Sequence, residues 1–230
     1  MSYYLNLSVL SNNLNNQQKR LERRKLLSTE ARRILSLCEE RPITEDDIAK
    51  EASGRPFFPG CDTDFSISHS GALTAVSLVR GKNLRTGCDV EFVRPRKKAR
   101  EIAQEFFTIP ERKYIESDSR PDGTRFYQIW TLKECFLKLR GLSVFDMACV
   151  PSFVSGEGSL LNTSFDQISF NLYELTGSAN EHYIAATALG GGEGRQPEIR
   201  WFSQDFLEAC RIIAKINAAP SPAETVSPKI

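Results

Sequence analysis

TGCDVEFV, residues 86–93, alternates apolar and polar side chains in the pattern of a β-strand. Because a strand has a period of two, Asp89 and Glu91 lie on one face and the apolar residues lie on the other. Side chains two apart are about 6.6 Å from each other along the strand, so two carboxylates repel unless a cation lies between them. Oxygen ligands at this spacing suit Mg2+, which also binds phosphate oxygens. Solvated strand faces also carry acids, so an ordinary exposed face is the simpler interpretation of the pair alone.

WTLKECFLK, residues 130–138, is the second stretch with candidate chemistry. In a helix, Trp130, Glu134 and Lys138 are one turn apart and lie along one side, with Lys133 beside them. From spacing alone, a surface pair between a glutamate and a lysine is the simpler interpretation. The alternative is a glutamate that joins a metal site and lysines that face phosphate charge.

The remaining pattern predicts helices and strands in both halves of the chain. The expected helices cover residues 17–37, 45–51, 99–107 and 126–139, and the expected strands cover residues 65–79 with a turn at Ser70, 86–93, 167–175, 182–189 and 198–203. The order of helices followed by an antiparallel sheet occurs twice along the chain, and the change from the first unit to the second lies near Arg85. We therefore predict an α+β fold with an N-terminal lobe over residues 1–85, a C-terminal lobe over residues 86–217 and a disordered Pro- and Ser-rich tail over residues 218–230.

Composition limits the possible classes of protein. The chain has 230 residues, of which 40% are hydrophobic, and no run approaches the roughly 18 apolar residues of a membrane-spanning helix. With no signal-peptide pattern at its start, the chain is expected to be cytoplasmic, without a membrane partner. Its six cysteines show no CxxC spacing, and there are only two histidines, so a zinc site is not indicated.

Charge is clustered although the net charge is only +1. Basic residues are concentrated over residues 19–33 and again over residues 94–100. Each run is either a solvated surface or a contact for an anionic partner. A nucleic acid is not expected as the partner, because residues 19–33 contain no aromatic side chain that could stack on bases.

Three separated stretches together resemble the signatures of the Sfp-type 4'-phosphopantetheinyl transferases: GRPFF with FSISHSG, then GCDVE, then WTLKECFLK. The resemblance covers residues 53–141. It implies a pseudo-twofold monomer of two similar lobes, each an antiparallel sheet packed with helices, with coenzyme A between the lobes. It also implies that Asp89, Glu91 and Glu134 hold Mg2+ against the pyrophosphate of coenzyme A.

The resemblance assigns further residues to coenzyme A and to the reaction. The expected coenzyme A contacts are Arg24 in the basic N-terminal helix, where Arg20 and Lys25 are alternatives, and Arg55, Ser68, His69, Lys133 and Lys138. The expected catalytic residues are Glu134, Lys138 and Glu111, with Glu134, Glu111 or a metal-bound water as the base. Glu111 also completes a capping box with Thr108, which is a structural alternative.

The function implied by the resemblance is transfer of the 4'-phosphopantetheine group from coenzyme A to a serine hydroxyl of an apo carrier protein, with release of adenosine 3',5'-bisphosphate. The carrier is an acyl, peptidyl or aryl carrier domain. The alternative function is a non-catalytic module that binds coenzyme A or a carrier protein.

Overall fold

The computed structural model describes residues 2–9, 18–156, 158–160, 164–165, 167–177, 180–191, 197–201 and 211–216. The helices are α1 (Gln18–Glu39), α2 (Ala99–Phe106), α3 (Ile109–Glu116) and α4 (Thr124–Arg140), followed by a 3-10 helix over Val144–Cys149. The strands are β1 (Ser2–Val9), β2 (Ala49–Lys50), β3 (Pro56–Phe57), β4 (Thr63–Ser70), β5 (Leu73–Arg80), β6 (Arg85–Phe92), β7 (Ser164–Phe165), β8 (Ile168–Thr176), β9 (His182–Gly190), β10 (Glu198–Trp201) and β11 (Arg211–Ile216).

The strands form two main sheets, which confirms an α+β fold with antiparallel sheets and helices. The first sheet has the order β10-β1-β5-β4 and the second has the order β11-β8-β9-β6, with β7 added to β8. The pairs are antiparallel except for β1 with β10, which is parallel. Strand β10 thus adds to the first sheet, although its sequence position lies in the predicted C-terminal lobe.

Two sequence predictions need comment. The helix expected over residues 45–51 is wrong, because Asp47 accepts hydrogen bonds from the backbone and hydroxyl of Thr44 and forms a turn instead. The chain then forms β2, which pairs with β3. The predicted tail over residues 218–230 lies outside the described residues.

The two sheets meet along β4 and β6 through serine side chains. Every second residue of β4 from Ser66 onward is a serine whose hydroxyl oxygen accepts a backbone N–H of β6: Cys88 donates to Ser66 over 3.1 Å, Val90 to Ser68 over 3.3 Å and Phe92 to Ser70 over 3.0 Å. These hydrogen bonds to serine hydroxyls join β4 to β6 in place of the backbone–backbone hydrogen bonds that join neighbouring strands within a sheet. This serine ladder leaves each hydroxyl proton free to be donated elsewhere.

Helix α4 packs on β6 with almost no space between the two backbones. A Cβ atom built at Gly87 would lie 2.3 Å from the carbonyl oxygen of Cys135. Only glycine permits so close an approach, which is a common reason for glycine within a strand. The helix is buried over most of its surface and ends, as predicted, at Gly141, which has a φ of 68°. This packing brings the acidic face of β6 against the side of α4 that carries Glu134 and Lys138.

No helix within the described ranges combines the length and the apolar character needed to span a membrane.

Candidate active site

Asp89 lies at the centre of the contact between β6 and α4. Its Oδ1 atom accepts hydrogen bonds from Ser68 Oγ and Lys138 Nζ, each over 2.7 Å. Only 4% of the residue is exposed. Its other oxygen, Oδ2, is buried and has no hydrogen-bond partner among the described residues. A buried carboxylate oxygen without a partner is costly, so this atom fits a ligand that the protein itself does not supply.

Glu91 is fixed by one partner on each oxygen. Trp130 donates its indole N–H to Oε1 over 3.1 Å, and Ser70 donates its hydroxyl to Oε2 over 3.0 Å. Burial, together with the negative charge of Asp89, raises the pKa of Glu91, and these two hydrogen bonds act in the opposite direction. Both carboxylates of β6 are therefore oriented by serines of the ladder.

Glu134 on α4 is the third carboxylate of the predicted set. Burial raises its pKa to about 7; the charges of Asp89 and Glu91 add to this effect and Lys138 opposes it. The structure therefore brings the three predicted carboxylates within electrostatic range of one another. Over the part of the chain that the structure describes, no three His, Cys, Asp or Glu side chains form a ready-made metal site.

These three carboxylates fit a divalent cation by two observations. Asp89 Oδ2 has no partner among the described residues, and burial together with the mutual repulsion of the acids raises the pKa of Glu91 and Glu134. A positive charge between the acids would supply the missing partner and remove the repulsion. A set made only of carboxylate oxygens is typical of Mg2+.

Lys138 connects the carboxylates to a cavity. Its side chain is 30% exposed. Burial tends to lower the pKa of Lys138, but the charge of Asp89 outweighs that effect and the pKa is raised. The amino group of Lys138 is therefore protonated and positively charged. The cavity has a volume of about 240 Å³ and is also lined by Arg55, Ser66, Gly141 and Leu142. Lys138 thus presents a cation between the acids and this cavity.

Arg55 lines the cavity, but its guanidinium group is used within the protein. It forms a bidentate salt bridge to Asp64, with distances of 2.8 and 2.6 Å. It also donates to the backbone carbonyls of Phe65, Thr86 and Lys138. The guanidinium ties β4 and β6 to the end of α4, and the expected contact of Arg55 with coenzyme A stays a prediction.

Ser68 and His69 point in different directions, as neighbours on a strand do. Ser68 is buried and donates to Asp89, whereas His69 is exposed. Of the candidates in α1, Lys25 is exposed, and the side chains of Arg20 and Arg24 lie outside the described residues.

Lys133 and Glu111 form a buried pair away from the carboxylate set. Both side chains are fully buried, with Lys133 Nζ 3.2 Å from Glu111 Oε2 and 3.2 Å from the carbonyl oxygen of Val150. Glu111 completes the capping box of α3 with Thr108 and accepts the backbone N–H of Phe153. Glu111 therefore has the structural role that was its alternative, while the contact of Lys133 with coenzyme A and the role of Glu111 as base stay predictions for two fully buried side chains.

Sequence reasoning missed the serine ladder and the role of Gly87. The signals were present in the alternating serines of FSISHS and in a glycine inside a predicted strand. Neither signal says which strand or helix lies opposite, so only the structure connects Ser70 to Glu91 and Gly87 to α4.

Comparison with known proteins agrees with this geometry. Residues 85–188 match the model of the 4'-phosphopantetheinyl transferase superfamily. The chain is 33% identical over 119 residues to the 4'-phosphopantetheinyl transferase AcpT of Salmonella typhimurium, and 32% identical over 127 residues to AcpT of Escherichia coli strain K12. It is also 32% identical over 162 residues to the 4'-phosphopantetheinyl transferase HetI of a Nostoc species.

These matches cover 50%, 54% and 64% of this chain and 60%, 63% and 62% of the respective relatives. The chain therefore spans less than two thirds of the length of these curated relatives. The matched family region begins at β6 and includes both of its carboxylates as well as α4. Residues 85–188, which carry β6 and α4, are therefore similar to the 4'-phosphopantetheinyl transferase superfamily.

Proposed function

We propose that this protein transfers the 4'-phosphopantetheine group of coenzyme A to a serine hydroxyl of an apo carrier protein. The observation that carries the proposal is the constellation around Asp89. One oxygen of this residue is held by Lys138 and Ser68, and the other is buried without a hydrogen-bond partner among the described residues, beside two further acids whose pKa is raised. The three relatives bearing the name 4'-phosphopantetheinyl transferase support the same activity.

In this proposal Asp89, Glu91 and Glu134 hold one Mg2+ ion, which would neutralise the charge of the donor's pyrophosphate oxygens. Lys138 adds a positive charge beside the same phosphates. The serines of the ladder keep Asp89 and Glu91 oriented, and Trp130 fixes Glu91 from the helix side. The residues thus provide charge stabilisation for a phosphoryl transfer.

The reaction itself is a displacement at phosphorus. The serine Oγ of the carrier forms a bond to the β-phosphorus of coenzyme A, and the bond from this phosphorus to the bridging oxygen breaks. That oxygen leaves with the electron pair as part of adenosine 3',5'-bisphosphate. Glu134, which lies beside the proposed ion, is the candidate to accept the hydroxyl proton of the serine, directly or through water.

The proposal includes two pseudo-equivalent lobes in a monomer, with a boundary near residue 85. The two sheets and their junction along β4 and β6 support it. Coenzyme A would lie at this junction, with its nucleotide toward the cavity beside Lys138 and toward exposed His69.

The test is to incubate the protein with coenzyme A, Mg2+ and several apo carrier proteins and to weigh each carrier. We expect a mass gain equal to one phosphopantetheine group on the acceptor serine. Asp89→Asn should lower kcat/KM by about 10³-fold, because it weakens the metal site and the Lys138 contact together. Asp46→Asn is the matched control, because Asp46 is exposed. Binding of coenzyme A without transfer to any carrier would instead support the binding module.

A further inference from the structure

Arg96, in the segment between β6 and α2, lies against two aromatic rings of α4. Its guanidinium carbon is 5.1 Å from the centroid of the Trp130 ring and 5.7 Å from that of the Phe126 ring. The two rings are stacked, with centroids 6.0 Å apart and planes inclined by 17°. A planar guanidinium near the faces of aromatic rings is held by a cation–π interaction. Arg96 thus contacts both rings at once.

The backbone around Arg96 is fixed by two helices. The carbonyl oxygen of Arg94 accepts a hydrogen bond from the hydroxyl of buried Tyr127 on α4 over 2.8 Å. The carbonyl oxygen of Arg96 itself accepts the N–H of Ala99, the first residue of α2, over 3.1 Å. The side chain of Arg96 is exposed, but the position from which it reaches the rings is set by α2 and α4.

Trp130 connects this contact to the carboxylates. The residue is only 9% exposed, and its indole N–H crosses from α4 to β6 and reaches Glu91 Oε1 over 3.1 Å. A rotation of the ring would carry the N–H away from this oxygen. A cation on the ring also draws electron density from the indole, which strengthens its N–H as a donor. Whatever holds the ring of Trp130 therefore also holds Glu91.

Arg96 differs in this respect from its neighbour Lys97. Both residues are exposed and positively charged, but within the described ranges only Arg96 of the two contacts an aromatic ring. A role that depends on surface charge alone would be shared by both residues, whereas a role through Trp130 belongs to Arg96. Lys97 is therefore a matched control of equal charge in the same segment.

We propose that Arg96 is a positioning residue for the proposed ion site: it holds the ring of Trp130 so that the indole N–H keeps Glu91 in its orientation. The inference rests on the proposed function, since it takes Glu91 as a ligand of Mg2+. Outer contacts that orient a metal ligand raise the affinity of the site for the metal. The expected contribution is modest, because an exposed cation–π contact is weak.

The first test compares Arg96→Gln with Lys97→Gln, each of which removes one positive charge. The chain has two tryptophans, whose indole nitrogens are labelled with a heavy isotope for NMR, and Trp201→Phe identifies which resonance belongs to Trp130. Without metal, Arg96→Gln should move the indole N–H resonance of Trp130 and leave that of Trp201 in place. Lys97→Gln should move neither resonance.

The second test titrates the same proteins with Mg2+ in a calorimeter, without any carrier protein. Arg96→Gln should weaken Mg2+ binding about threefold, which is the size of an exposed cation–π contact. Arg96→Lys keeps a cation near the rings and should recover part of the affinity, whereas Lys97→Gln should bind like the unaltered protein. In transfer assays, Arg96→Gln should raise the Mg2+ concentration for half-maximal activity by the same factor and leave kcat at saturating Mg2+ unchanged.

The outcomes separate this inference from the proposed function. Equal indole resonances or equal Mg2+ affinities of Arg96→Gln and Lys97→Gln would overturn the positioning role and leave the proposed function intact. Mg2+ binding in the expected order, without transfer to any apo carrier, would support the positioning role and overturn the proposed function. No binding of Mg2+ by the unaltered protein would overturn both.

Discussion

Helix α4 carries two lysine–carboxylate pairs whose lysines are five residues apart, and the two pairs differ in nearly every respect. Lys133 and Glu111 are fully buried, and both of their polar groups have additional backbone partners. Lys138 is 30% exposed beside a cavity, and its partner Asp89 keeps a buried oxygen without a partner among the described residues. The first pair is closed, whereas the second has room for a ligand.

The two pairs also shift the pKa of their lysines in opposite directions. Burial lowers the pKa of Lys133, and Glu111 only partly compensates. At Lys138 the same burial effect is outweighed, mainly by Asp89, and the pKa is raised. The comparison teaches that residue type and spacing along a helix do not distinguish a structural ion pair from a candidate catalytic one. The feature that distinguishes them is whether the partner carboxylate keeps an oxygen atom that can still accept a hydrogen bond or bind a ligand.

The largest expected difference between the pairs is in stability. Lys133→Met leaves Glu111 buried without a countercharge and should lower the free energy of unfolding by about 3–5 kcal/mol. Lys138→Met should cost clearly less, because water can reach its site, but should strongly reduce kcat. Urea denaturation and transfer rates per folded molecule would check both. The distinction between the pairs would be lost if Lys133→Met folded normally and was inactive.

A second difference concerns pH, through Glu134 beside the open pair. Its folded pKa of about 7 lies above the ordinary value of 4.5, so the folded state binds the proton more tightly than the unfolded state. Without metal, the contribution of Glu134 to stability is present below pH 4.5 and is lost as the pH rises toward 7. Without Mg2+, the Tm should therefore decrease as the pH rises from 4.5 to 7. This decrease should be smaller in the Glu134→Gln variant.

Added Mg2+ sharpens the same comparison. The ion must compete with the proton on Glu134, so it should raise Tm more at pH 8 than at pH 6. Lys133→Met should not alter that dependence. A Mg2+ effect that is independent of pH would contradict a place for Glu134 among the ligands.

The smallest expected effect separates the serines that support the open site. Ser66 and Ser70 each accept one backbone N–H of β6, but only Ser70 also donates to a carboxylate. Ser66→Ala and Ser70→Ala should each cost about 1 kcal/mol of stability. Ser70→Ala alone should raise the Mg2+ concentration for half-maximal activity, by about tenfold. Ser70→Thr retains the hydroxyl and should restore the response; equal Mg2+ responses of the two alanine variants would refute the orienting role.

The sequence predicted most of the fold because its signals were local. The period of β6, the capping box at Thr108 and the helix end at Gly141 each involve residues close together in the chain. The parallel pairing of β1 with β10 could not be predicted, since it joins strands nearly 200 residues apart with no complementary motif. The site shows the same limit. Asp89 and Glu91 were placed on one face by period alone, whereas the buried contacts of Lys133, Glu111 and Arg55 depend on tertiary packing.

Gly87 has a consequence for how the site tolerates variation. Because the carbonyl oxygen of Cys135 lies only 2.3 Å from where a Cβ of residue 87 would be, the spacing between the acids of β6 and Glu134 of α4 is set by two backbones in contact. Side chains can move to accommodate a new neighbour, but two main chains in van der Waals contact keep a constant distance from each other. The width of the proposed ion site is thus determined by Gly87, two residues before Asp89 on the same strand, although this residue contributes no chemical group to the site.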